Sequence, residues 1–296
     1  MKRQFLILSF LFCFAGNSYA QIGKSKLYLA IDDYGPGVEM YLNKVGNKSV
    51  LVILGDKIYE ENTPGKEAKV NKELLENYIE QVLPNKLSDG MGVLDWEGRS
   101  FDLLSSVPSS NKVYQSVLAE FLMALKIAKK SRPNVQWGFW GIPFKRANFK
   151  TRKDWILANQ KIAVLLKACD VLCPDLYGYN PSNLGNDEDV RLSIELGARF
   201  DKKVYPFIWH RYNGGDQKSY MLKLIPKLKF VNYAIDILKV KYKNRKVNGV
   251  IWWSKDTYFY THQEKPLLNE SPDFESFKRY YDNLLIEYSK AALRAM

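Results

Sequence analysis

The chain of 296 residues carries 44 Lys and Arg against 32 Asp and Glu, a formal net charge of +12. Such a surplus favours polyanions (acidic polysaccharide, nucleic acid or anionic lipid) without choosing among them. Only two histidines, His210 and His262, no Cys/His cluster, and no Gly-x-Ser-x-Gly or phosphate-loop pattern argue against zinc, α/β-hydrolase and nucleotide chemistry.

At the start of the chain, Lys2 and Arg3 precede an apolar run from Phe5 to Ala15 and the small residues of Ser18-Tyr19-Ala20. This reads as a secretory signal peptide over 1–20, too short to span a membrane. The expected location is therefore secreted or periplasmic. A lipoprotein site at Cys13 is the alternative, but Phe10-Leu11-Phe12 lacks the small residues it needs. No later run is long and apolar enough to predict a membrane span. Residues 21–296 show no linker, repeat or low-complexity tract, which predicts one domain.

Seven short runs rich in β-branched and aromatic residues read as buried parallel strands: 26–33, 49–55, 90–97, 136–143, 169–177, 203–212 and 248–254. Helical patterns fall between most of them, over 72–83, 113–125, 153–167, 187–200 and 217–241, with a last one over 274–293. Gly35-Pro36-Gly37 reads as a turn. Strand alternating with helix predicts an α/β fold, a distorted (β/α) TIM-like barrel of about seven parallel strands. A doubly wound open sheet competes, weakened because no Gly-x-Gly-x-x-Gly follows the first strand. Cys169 and Cys173 are too far apart in an extended segment to bridge, so both are expected as buried thiols. The densest basic stretch, nine Lys or Arg between Lys218 and Lys246, reads as a solvated helical face.

In such barrels the chemistry sits at the C-terminal strand ends. Those ends hold Asp32 and Asp33, Asp95 and Glu97, Trp140, Asp175 and Tyr177, His210 and Tyr212, and Trp253 with Ser254. Acids ringed by Tyr and Trp suit a sugar cleft, where aromatic faces stack on pyranose C–H faces and carboxylates take the hydrogen bonds. For any one aromatic, ordinary core packing is the better account; for all of them at the same strand ends it is much the weaker one. His210 reads as a hydrogen-bonded bystander.

The sharpest feature is Gly92-Val93-Leu94-Asp95-Trp96-Glu97. Alternation along a strand puts Asp95 and Glu97 on one face, about 7 Å apart. Two neighbouring acids cannot both ionise normally, so one keeps its proton near neutrality. A proton donor beside a negative charge is the equipment for glycosidic cleavage. A solvated strand end is the bland account of the same motif.

Gly90-Met-Gly-Val-Leu-Asp-Trp-Glu97 resembles the Gly-x-Gly-Val-x-Asp-aromatic-Glu segment of the hyaluronidase family of glycoside hydrolases, family 56. Phe121-Leu-Met-Ala-Leu-Lys-Ile-Ala-Lys-Lys-Ser-Arg-Pro133 and Trp137-Gly-Phe-Trp-Gly-Ile-Pro143 are similar to the family's helix ending in Arg-Pro and its following strand. Pro174-Asp-Leu-Tyr177 resembles its Pro-Ser-x-Tyr strand end, and Val204-Tyr-Pro-Phe-Ile-Trp-His-Arg-Tyr212 and Gly249-Val-Ile-Trp-Trp253 its last two barrel strands. The matches run in order over roughly 49–254.

The resemblance implies Glu97 as general acid and base, and Asp95 as the group orienting the substrate's N-acetyl arm. It implies Tyr177, Tyr212 and Trp253 as walls at the cleaved sugar; Asp175 and Trp140, read from the strand ends, join them as substrate-binding candidates. It also implies a substrate-supplied nucleophile, the acetamido oxygen, with net retention and neither cofactor nor metal. The chain departs from the family at Gly98-Arg99-Ser100, after Pro143, in its missing disulfides and at its first strand. The expected function is a secreted endo-β-N-acetylhexosaminidase acting on hyaluronan or a related acidic glycan, with no nucleic-acid partner. A glycosidase of peptidoglycan or chitin and a non-catalytic glycan-binding barrel are the alternatives.

Overall fold

The computed structural model describes residues 26–31, 33–46, 48–59, 67–184 and 187–296. The predicted signal segment and Asp32 lie outside the described residues. In chain order the elements are β1 (Leu27–Ile31), α1 (Pro36–Lys44), β2 (Lys48–Ser49), β3 (Leu51–Leu54), α2 (Lys72–Val82), β4 (Gly90–Asp95), α3 (Arg99–Ser106), α4 (Lys112–Ser131) and β5 (Val135–Phe139). There follow α5 (Arg152–Lys161), α6 (Ala163–Ala168), β6 (Val171–Leu172), α7 (Asp187–Phe200), β7 (Lys203–Val204), β8 (Phe207–Trp209), α8 (Lys227–Lys239), β9 (Val250–Ser254), α9 (Asp256–Thr261), α10 (Lys265–Leu268) and α11 (Phe274–Ala295).

Every one of the seven expected runs contains strand, and every ladder between named strands is parallel. The fold is α/β. The ladders form three sheets, β2-β1-β9-β8, β3-β4-β5 and β6-β7, and not one closed ring. Proline accounts for part of the interruption: Pro174 ends β6 and Pro206 separates β7 from β8, and neither has an N–H to donate. Single parallel bridges, Trp140 to Cys173 and Asp175 to Phe207, run between the sheets. Across the break at Val50, its N–H donates to the Leu29 carbonyl at 2.7 Å.

Helices pack outside the strands through the stripes their periodicity predicts. In α4, Tyr114, Val117, Phe121, Leu125 and Ala128 are buried on one side. Asn71, Asn111, Thr151 and Asp273 cap their helices by accepting backbone N–H bonds. Gly92 is forced by its neighbour: a Cβ there would lie 2.3 Å from the Trp137 ring on the adjacent strand. Cys169 and Cys173 are buried free thiols, and burial pushes the Cys169 thiol up to about 12.

Three expectations need correction. Gly35-Pro36-Gly37 opens α1, with Gly35 as N-cap and Pro36 in the first turn, where its missing N–H costs nothing. The predicted 153–167 helix breaks at Ile162 into α5 and α6. The predicted 217–241 helix begins only at Lys227, because Pro226 cannot sit in a helix interior and serves as its N-cap. Upstream, the chain instead doubles back beside the end of β8: Leu222 N–H donates to Tyr212 O and Ile225 N–H to His210 O, both at 2.8 Å. No described helix is long and apolar enough to cross a membrane.

Candidate active site

Strand β4 carries the acids. Its last residue is Asp95; Trp96 then turns outward, 1% exposed, and stacks between Tyr59 and Phe121 at 5.0 and 4.5 Å. Gly98 follows Glu97 at φ 78°, ψ −155°, a backbone shape reserved for glycine, and caps α3. Strand, alternation and glycine turn together leave Asp95 inside and Glu97 at the rim, open to solvent.

The electrostatics match that placement. Burial, then the charges of Glu97 and Asp175, push the Asp95 carboxyl up to about 8, against a partial pull from Lys255. Glu97 is raised too, by partial burial of its carboxyl first, then by Asp175 and Asp102. Three carboxylates therefore converge at the end of β4. Asp95 Oδ1 is buried and has no hydrogen-bond partner among the described residues, a costly arrangement that demands a reason.

Tyr177 is the centre of an aromatic wall. Its ring lies 6.0 Å from Trp140, 5.6 Å from Trp209, and 5.6 Å from Trp253 in a stacked pair. Burial, followed by Asp175 and Asp95, drives the Tyr177 hydroxyl well above its ordinary range. Asp175 accepts the Tyr177 N–H at 2.7 Å and faces Lys145 Nζ at 3.5 Å. Lys145, 5% exposed, also donates to the Tyr177 carbonyl at 2.5 Å and sits 4.1 Å over the Tyr179 ring.

Of the residues expected at the site, Asp95, Glu97, Asp175, Tyr177, Trp140 and Trp253 are thus drawn together. Tyr212 is buried apart from the stacked rings, packing edge-on against Tyr220 at 5.8 Å and holding the returning 222–223 segment. Sequence reasoning missed Lys145, Trp209 and Phe259, whose ring lies 5.5 Å from Trp209 and 6.3 Å from Trp253. Trp209 was within reach of strand alternation, since it pairs in register with Trp253 and contacts it at 5.1 Å. Lys145 lies in an aperiodic loop and had no signal.

His210 points the other way. Its Nδ1 accepts from the Trp252 indole and its Nε2 donates to Asp256, both at 3.0 Å, which fixes the neutral tautomer. Arg211 adds a 2.7 Å bond to Asp256 and a bidentate pair with Glu270 at 2.8 and 2.7 Å. Although Asp256 is completely buried, Arg211 and His210 hold its carboxyl far below the usual range. This network braces β8, β9 and α9 behind the aromatic wall. Among the described residues no group of three or more His, Cys, Asp or Glu could hold a metal ion.

No family model matches the chain, and no curated protein matches it. Among solved structures it is similar to bee venom hyaluronidase, with a TM-score of 0.58 at 16% identity over 86% of this chain and 100% of that one. A second crystal structure, bee venom hyaluronidase in complex with a hyaluronic acid tetramer, gives a TM-score of 0.55 at 16% identity over 86% and 99%. The likeness is one of fold.

Proposed function

We propose that the chain is a secreted, retaining endo-β-N-acetylhexosaminidase that cleaves hyaluronan or a related acidic glycan with the help of the substrate's own acetamido group. The observation that carries this reading is the buried, unpartnered Oδ1 of Asp95 beside Glu97, against an aromatic wall. A substrate acetamido N–H supplies the donor that oxygen lacks. Donation to Asp95 favours its charged form, so the retained proton passes to Glu97. Glu97 then protonates the glycosidic oxygen as the acetamido carbonyl oxygen bonds to C1 and the C1–O bond breaks. Water opens the cyclic cation, giving its proton to Glu97, and the product keeps the β-configuration.

Tyr177, Trp140 and Trp253 offer ring faces to the sugar, and Tyr212 supports the adjoining loop. The third carboxylate, Asp175, makes the centre a poor host for a second negative charge. A neutral N-acetylhexosamine there, with the uronic acids held further out, suits it better. The reading is supported by the fold shared with bee venom hyaluronidase and by that protein's complex with a hyaluronic acid tetramer. The unbroken chain from β2 to β3 and the short β7–β8 step, with the inter-sheet bridges, support a distorted seven-stranded barrel as its frame.

The test is end-group analysis of hyaluronan after incubation with the protein and with its Glu97→Gln variant. The expected products are saturated oligosaccharides with reducing N-acetylglucosamine ends, made by the unmutated protein alone. Equal cleavage by the variant, or uronic acid at the new reducing ends, rejects the assignment.

A further inference from the structure

Beyond β9 the aromatic wall continues to the protein surface. The chain leaves the strand at Ser254 and enters α9 at Asp256, at the same end of the strands as Asp95. Trp253 meets the half-buried Phe259 ring at 6.3 Å, and Phe259 meets Tyr258 at 5.5 Å, both edge-on. Tyr177, Trp253, Phe259 and Tyr258 therefore form an unbroken run of rings leading away from the acids. Exposure rises along it, from 5% at Tyr177 to 52% at Tyr258. Among the described residues, Tyr258 is the one Phe, Tyr or Trp that is exposed.

The Tyr258 ring is held in place. His262, one helical turn on, packs against it at 3.9 Å between centroids, and the His262 Nδ1–H donates to the Tyr258 carbonyl at 2.8 Å. A separation that short covers one face of the phenol ring and leaves its exposure to the other. The first turn of α9 is tied down from two sides. Asp256 is held by Arg211 and His210, and Thr257 Oγ1 donates to Asp33 Oδ2 at 2.9 Å, just beyond β1. An i, i+4 contact steadies a short helix, which explains the His262 packing. It does not account for an exposed phenol at the end of the wall.

We infer that Tyr258, backed by His262, is an outer sugar platform of the candidate site, stacking on a unit of the bound glycan beyond the sugar at the acids. A flat apolar face with a hydroxyl at its edge suits a pyranose, whose C–H face covers the ring while its own hydroxyls stay in water. Fixing the ring before the ligand arrives removes part of the ordering cost of binding. The inference rests on the reading of the wall as a glycan cleft, and not on catalysis.

Binding is measured by calorimetry in a Glu97→Gln background, with hyaluronan oligosaccharides from the tetrasaccharide upward. Tyr258→Ala is expected to weaken the longer oligosaccharides about three- to tenfold and the tetrasaccharide less. The loss should be the same at low and high salt, because stacking is not screened as a charge contact is. Tyr258→Trp is expected to keep the affinity, and Tyr258→Leu, apolar but without a flat face, to lose it as alanine does. Thermal melting of each variant checks the fold. Unchanged affinity in the alanine variant, an equal loss at every length, or rescue by leucine as complete as by tryptophan would overturn the platform. No binding of any length by the parent would overturn it together with the glycan reading of the wall. Length-dependent loss in a protein that cleaves nothing would strike only the catalytic reading.

Discussion

Two acids of this protein, Asp95 at the end of β4 and Asp256 two residues past β9, have buried carboxyl oxygens, and their environments drive them apart. Asp95 meets two further carboxylates and one ammonium, that of Lys255, and its carboxyl rises to about 8. Asp256 meets Arg211, His210 and Ser254, with a 2.7 Å bond to the guanidinium, and its carboxyl is held far down. Burial is shared; the partners decide the sign. One region is satisfied and braces the fold. The other is left unsatisfied, as a site awaiting a ligand is.

Replacing the rim acid separates the two regions most widely. Glu97→Gln is expected to lower turnover by about 10²–10⁴-fold or more without lowering thermal stability, read by end-group kinetics and melting. Asp256→Asn should do the reverse. It leaves Arg211 short of a buried counter-charge and is expected to cost about 3–5 kcal/mol in denaturant unfolding.

Asp95→Asn sharpens the contrast through its pH dependence. The folded pKa of Asp95 is raised, so its contribution is fully present below the unfolded value of 3.8 and is lost as pH rises towards about 8. The asparagine variant should therefore lose activity and yet gain stability over the parent at pH 8, with no gain below pH 4. Melting curves at both pH values check it, and a destabilised variant at pH 8 would break the comparison.

Smaller effects are expected nearer the boundary between the regions. Lys145→Met should reduce turnover several-fold and stability by about 1.5–3 kcal/mol, the worth of hydrogen bonds to charged groups, with Lys145→Arg recovering part of each. His210→Gln should leave turnover within a few-fold and lower stability by about 1–3 kcal/mol, because it opens the buried network without touching the wall.

The parts of this arrangement that were legible from sequence are those governed by short periods. The strand period of two gave Asp95 and Glu97 with Trp96 between them, and it could have given Trp209 beside Trp253. Helical spacing gave α4 and α7. The start of α8 was also readable, since Pro226 is a stop signal that apolar periodicity across 217–241 outweighed. Lys145 was not readable, because its bonds to Asp175 and Tyr177 join the segment after β5 to the segment after β6, and no local pattern encodes that meeting. Tyr212 lies three residues past the end of β8 and not in the strand expected over 203–212, and the chain returning over 220–225 gives it Tyr220 as a neighbour in place of the Tyr177 stack.

The most direct test of the central claim compares hyaluronan with its N-deacetylated form as substrates for the unmutated protein. If the acetamido oxygen is the nucleophile and Asp95 receives its N–H, the acetylated polymer is cut and the deacetylated one is not. Equal cleavage of both would contradict the account and make a protein carboxylate the nucleophile.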